Sequence, residues 1–215
     1  MDIYYIKGNI LILSVIAPVV IGTYRYRSLD TGSRIFFYLA FLCMVAESLA
    51  YYTAVRFNNN LAVYNTSNII ELFLACLYIN YSSAVFRRRN IGWIVAVCSL
   101  IIGIVNNFFI QSLNVITTNF LLYQAFVTII LSAISLSAFI RTDDPRHAKN
   151  EVHFWFPVIL IFSWGFTYLL FGLEEFYGKS VPTGIEWTLF FVSIAANTAT
   201  GLVFFYYPKM AAHVR

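Results

Sequence analysis

The sequence predicts an all-α integral membrane protein, a single bundle of seven transmembrane helices over residues 1–215. Three observations lead there. The 215 residues are 60% hydrophobic and 19% aromatic but only 11% charged, whereas a soluble domain carries about 25% charge. Such a chain cannot cover a globular surface with polar groups, and it is too apolar to stay disordered. Its apolar residues also fall in seven runs long enough to cross a bilayer, which takes ~17–25 residues at ~1.5 Å each. Finally, its basic residues gather on alternate loops.

The expected spans are 8–24, 35–56, 61–86, 91–110, 117–140, 153–176 and 185–207. The first has only Lys7 before it, and its charged flank, Arg25 and Arg27, follows it. That order is wrong for a cleaved signal peptide, so the span is read as retained, with Pro18 kinking it. Short polar loops separate the spans, from Arg25 to Arg34 at the first and Tyr177 to Gly184 at the last, and none is long enough to fold alone. Cys43, Cys76 and Cys98 are odd in number and lie inside apolar runs, which argues against a disulfide framework.

Charge sets the orientation. Of the 14 Lys and Arg, Lys7, Arg56 and Lys179 fall on one side. The rest, Arg25, Arg27, Arg34, Arg87, Arg88, Arg89, Arg141, Arg146, Lys149, Lys209 and Arg215, fall on the other. The positive-inside rule then places the N-terminus outside and the C-terminus inside. This placement accounts for the net charge of +4 without nucleic acid as a partner. The expected partner is the lipid bilayer, and the expected location is the bacterial plasma membrane. The oligomeric state is left open.

Polar residues at helical spacing mark inward faces. The second span carries Ala40, Cys43, Glu47, Tyr51 and Ala54. The third carries Tyr64, Asn68, Glu71, Ala75, Tyr78 and Ser82, and the fourth Ala96, Ser99, Gly103 and Asn106. The fifth carries Gln124, Thr128, Ser132 and Ser135, and the seventh Glu186, Ser193, Asn197, Thr200 and Gly201. Small and polar stripes of this kind suit close helix packing, which is the expected role of most of these residues.

Glu47 and Glu71 stand apart. Counted from Arg34 and Arg87 they lie about 20 Å and about 24 Å into the membrane, near one depth slightly outward of the midplane. Asn106, Gln124 and Trp164 reach a similar level. No Lys, Arg or His does, and an unpaired carboxylate in hydrocarbon becomes neutral or finds partners. Tyr51, Asn68 or another amide would serve as a partner, in a purely structural role. Alternatively the layer is a site for a proton, a cation or an amine-bearing ligand. The candidate site residues are therefore Glu47, Tyr51, Asn68, Glu71, Asn106, Gln124, Trp164 and Asn197. Glu174, Glu175 and Glu186 near the outer edge would extend the site or simply be solvated.

The seven-span topology resembles microbial rhodopsins and G-protein-coupled receptors, but the defining residues are missing. No lysine lies within the last span, since Lys209 follows Pro208. The inner end of the third span reads Ser82, Ser83, Ala84, Val85, Phe86, Arg87 rather than Asp/Glu-Arg-Tyr. Asn197 is followed by Thr198, not Pro. The Pro-Gln pair of three-plus-one-plus-three sugar transporters is absent. Membrane hydrolases of the ceramidase type need several histidines to hold zinc. Here His147, His153 and His213 all fall at the inner surface, with Asp143 and Asp144 nearby. No metal site, cofactor or catalytic group is expected. Asn65-Thr66-Ser67 matches a glycosylation sequon inside a span.

The span pattern as a whole resembles small bacterial seven-helix membrane proteins and the membrane sensor regions of some histidine kinases. The resemblance is architectural, and no motif carries a functional residue across. Because the chain ends soon after the last span, a signal would pass to a separate partner at the inner surface. The outward-biased polar layer, the short loops and the absence of catalytic groups lead to the expectation of a non-enzymatic sensor or ligand-binding protein with a pocket around Glu47 and Glu71. A small proton- or cation-coupled transporter or channel is the alternative, and a lipid-active membrane enzyme the second alternative.

Overall fold

The computed structural model describes residues 3–142, 151–177 and 183–212. Among them lie seven long helices: α1 (Ile3–Arg25), α2 (Thr31–Phe57), α3 (Leu61–Ser82), α4 (Ile91–Val105), α5 (Thr118–Thr142), α6 (Val152–Tyr177) and α7 (Thr183–Ala212). Each contains a stretch long and apolar enough to span a membrane, α4 only together with the turn that continues it to Ile110.

The helix ends follow local chemistry. Asp30 caps α2, its Oδ1 accepting from the Ser33 N–H at 2.7 Å, so α2 starts one turn before the apolar run does. Asn58 and Asn90 take left-handed conformations, φ 53° and 51°, and end or begin helices at the tight turns. The third span stops at Ser82 instead of continuing to residue 86, because Ser83 is extended, and a separate turn Ala84–Arg87 follows. α4 continues as a π-helical turn, Asn106–Ile110. Pro18 sits within α1 and Pro157 within α6.

Six helices close a ring in the order α1, α2, α3, α5, α6, α7, with α7 returning against α1. α4 stands outside this ring and packs chiefly on α3. Sandwiched in this way, α3 is the most enclosed helix. Gly92 lets α3 and α4 approach: its N–H donates to Asn80 Oδ1 at 3.1 Å, and a Cβ there would lie 2.5 Å from Asn80 Cβ and 2.7 Å from the Cys76 carbonyl. The outer surface is apolar, with Leu13, Val20, Ile94, Phe109, Leu169 and Phe191 all exposed, as a lipid-facing surface requires.

Toward the basic end the ring interior is filled by rings from four helices. Phe36 of α2 stacks on Phe156 of α6 at 3.9 Å. Tyr78 of α3 meets both edge-on at 5.1 and 5.7 Å. Phe204 of α7 lies 5.4 Å from Phe156. All four are buried. Beyond this plug, Asp30 ties three segments together. Its Oδ2 meets His153 Nε2 of α6 at 2.6 Å, and its backbone N–H donates to the Tyr207 hydroxyl of α7 at 2.9 Å.

Candidate functional site

Above the plug the ring is hollow. A chamber of about 240 Å³ is walled by α1, α2, α3, α6 and α7, with Phe36 at its floor. It continues into a wider vestibule of about 950 Å³ at the opposite end from the basic face, and the two share Glu47, Tyr64, Asn68 and Trp164 as walls. The cavity is therefore open at the face where α1 begins and closed by packed aromatic rings toward the basic face.

Helical spacing delivers the acids to it. Cys43 and Glu47 are one turn apart on α2, and Tyr64, Asn68 and Glu71 share a face of α3. Because α2 and α3 run antiparallel, the pairs interlock. Tyr64 Oη donates to Glu47 Oε2 at 2.9 Å, and one turn deeper Cys43 Sγ donates to Glu71 Oε1 at 3.5 Å. The carboxyl groups are thus staggered along the cavity rather than level: Glu47 faces vestibule and chamber, Glu71 the chamber alone. Tyr64 and Cys43 are thus partners of the two carboxyl groups. Among the described residues no Lys, Arg or His lines the chamber. Lys7, at the vestibule, holds its Nζ 3.7 Å over the Trp187 ring.

The remaining candidates divide. Asn68, Trp164 and Asn197 line the chamber, where Asn197 Nδ2 also donates to Ser14 Oγ at 3.0 Å. Tyr51 lines the vestibule, its ring lying where a side chain on Gly8 would stand. Asn106 and Gln124 line neither cavity. Asn106 reaches the right depth on α4, but α4 lies outside the ring. There its amide donates to Asn107 Oδ1 and Gln111 Oε1, both at 3.2 Å. Gln124 is buried on α5, away from the chamber.

Cys43, Tyr64, Ser163, Thr167 and Ser193 also line the chamber. Cys43 and Tyr64 already stand in the stripes of α2 and α3, so their spacing to the glutamates was the available signal. The three cysteines are unpaired. The sequon asparagine Asn65 is buried, donating to the Leu113 and Val115 carbonyls at 2.9 and 2.8 Å and accepting from Thr117 at 2.9 Å. That leaves no room for a glycan.

Among the described residues no three His, Cys, Asp or Glu converge as a metal site would require. Asp143, Asp144, His147 and His213 lie outside the described residues, as do the side chains of Glu174, Glu175 and Glu186. The fold defines a multi-pass protein of seven membrane helices with an acidic central cavity. No known protein family matches the chain, and no curated protein or solved structure is significantly similar to it.

Proposed function

We propose that the protein is a non-enzymatic, ligand-binding membrane sensor whose chamber takes a small amine or another compact cation from the side of the vestibule. One observation carries the reading. A chamber with two carboxyl groups and no basic side chain is open at one end and sealed by aromatic packing at the other. A cation between Glu47 and Glu71 would supply a charge partner inside the chamber, where none of the described lining residues is basic. Trp164 and Tyr64 add π faces that favour cations, and Asn68 and Asn197 can orient a polar substituent. The walls come from five helices, two of which continue through the plug to the Asp30–His153–Tyr207 junction. Occupancy can thereby reach the basic face, where a separate signalling partner would read it. A bacterial plasma membrane is the setting this reading assumes.

The test is titration calorimetry of the protein in lipid nanodiscs with n-butylammonium and tetramethylammonium chlorides. Saturable binding of at least one is expected. Glu71→Gln should weaken it about 30-fold or more, since removing one partner of a buried charge pair costs ~2 kcal/mol upward, while leaving thermal stability near wild type. Absence of saturable binding, or equal affinity in the variant, would overturn the reading. If vesicles containing the protein instead accumulate the amine down an imposed proton gradient, the protein is a coupled transporter rather than a sensor.

A further inference from the structure

Hydroxyl groups inside membrane helices are usually satisfied by the carbonyl one turn back, and most described ones here obey. Ser14 bonds Leu11, Thr23 Val19, Ser48 Met44, Thr66 Ala62, Thr167 Ser163 and Thr200 Ala196, at 2.7–3.0 Å. One face of α5 departs from this rule. Thr128, Ser132 and Ser135 are 1%, 0% and 0% exposed, yet none of their Oγ atoms has a hydrogen-bond partner in the protein. Gln124, 1% exposed, leaves Oε1 unpartnered as well.

A buried polar atom without a partner forfeits its hydration with nothing in return, and native structures contain few of them. Four on one helix face call for an occupant. Their positions, separated by one turn each, form a single file about 16 Å long, buried between α5 and its principal neighbours α3 and α6. Successive steps of ~6, ~6 and ~4.5 Å are each the span of one bridging water with hydrogen bonds of ~2.8 Å, and bound water characteristically fills such polar gaps.

Both ends of the file lead somewhere. Gln124 stands one turn from Leu121, which lines the vestibule. Ser135 stands one turn from Phe139, whose ring lies 6.5 Å from the His153 imidazole. His153 Nδ1 is itself buried without a partner, while its Nε2 engages Asp30 at 2.6 Å. Pro157 has no N–H to return to the His153 carbonyl, so an acceptor loses its helical donor at the same level. The file thus passes beside the aromatic plug, from the vestibule side to the basic face, and shares no residue with the chamber.

We propose that Gln124, Thr128, Ser132 and Ser135 line a file of bound water that conducts protons between the vestibule and the His153–Asp30 pair. Along it each hydroxyl oxygen accepts a proton from the water on one side and releases its own to the water on the other. One O–H bond forms as another breaks, and no charge stays on the side chain. His153, with Nε2–H turned to Asp30, offers the Nδ1 lone pair as terminal acceptor. The proton on Nε2 then leaves through Asp30, whose side chain is 47% exposed. Among the described residues, Asp30, Tyr78, Phe139 and Gly32 face the imidazole.

The experiment is proton flux into vesicles that enclose a pH-sensitive dye, driven by a valinomycin-clamped potassium potential. The wild-type protein should acidify the lumen faster than protein-free vesicles do. Thr128→Val combined with Ser132→Ala should lower the rate to the protein-free level. Ser132→Thr, which disturbs packing more than alanine but keeps the hydroxyl, should conduct. Ser48→Ala, whose hydroxyl is already bound to Met44, should match the wild type. Wild-type flux equal to that of protein-free vesicles overturns the proposal, and so does undiminished flux in the double variant. If the double variant fails to elute as a folded monodisperse species, His153→Gln at the far end of the file takes its place with the same two outcomes.

Discussion

At Asp30 one carboxylate holds the α1–α2 turn, α6 and α7 together, capping Ser33 with one oxygen and engaging His153 with the other. Burial alone would raise its pKa, but the hydrogen bond from His153, the charge that the imidazole carries when protonated, and the Ser33 contacts outweigh burial and hold it at about 2 against an ordinary 3.8. A group depressed on folding stabilises the folded state above its unfolded pKa, and that contribution fades as pH falls through about 2. Asp30→Asn keeps the cap but loses the charge. It should lower stability by about 0.5–1 kcal/mol at neutral pH, a modest amount because the side chain is half in water. The gap to wild type should close near pH 2. Thermal unfolding in detergent across that range checks it, and a gap that persists at the acid end would contradict the assignment. Other residues show what a sequence reveals at this scale. Helical spacing was enough to bring Glu47, Asn68 and Glu71 to one cavity, because a face of a helix is local information. Asn106 matches their depth but not their place, since depth along a helix says nothing about which helices close the ring.

The helices carry the same lesson in their packing. α3 has polar and small residues on two faces. Tyr64, Asn68, Glu71 and Ala75 look into the cavity, and Cys76 and Asn80 look toward α4 through Gly92. Only the first face was legible as a stripe. The second is a backbone approach, visible once α4 is known to sit outside the ring. It makes a sharp prediction about two glycines. At Gly92 an added methyl would meet Asn80 Cβ and the Cys76 carbonyl, both rigid parts of a neighbouring helix. Gly92→Ala should therefore cost about 1–3 kcal/mol, as overpacking does, and separate α4 from α3. At Gly165 on α6 no described atom outside its chain neighbours and adjoining helix backbone lies within 4 Å of the added carbon, so Gly165→Ala should be neutral or gain up to ~1 kcal/mol of helix propensity. Unfolding midpoints of the two variants in one detergent give the comparison. Equal midpoints would mean that the α3–α4 contact is looser than its geometry. On α5 the inward face was legible as polar, but the missing partners of Thr128, Ser132 and Ser135 were not, because partners belong to the assembled ring.

For the whole molecule the cavity turns orientation into a functional quantity. The vestibule opens where α1 begins, beside Lys7 and Gly8, and where α2 meets α3 at Asn58–Asn60. The plug and the Asp30 junction lie at the other end, with Arg25, Arg34 and Arg87. Under the proposed function, the compartment facing the sparsely charged end would supply the ligand. The positive-inside rule would make that compartment the exterior. The prediction is that an epitope placed before Met1 reacts with antibody on intact cells, whereas one placed after Arg215 reacts only after permeabilisation. An odd number of crossings demands that the two tags differ. Both tags on one side would break the seven-helix count. Tags that differ in the reverse sense would keep the fold but open the cavity to the cytoplasm. The acidic chamber would then sample an internal amine or cation, and the Asp30–His153–Tyr207 junction would face the outside medium and its pH.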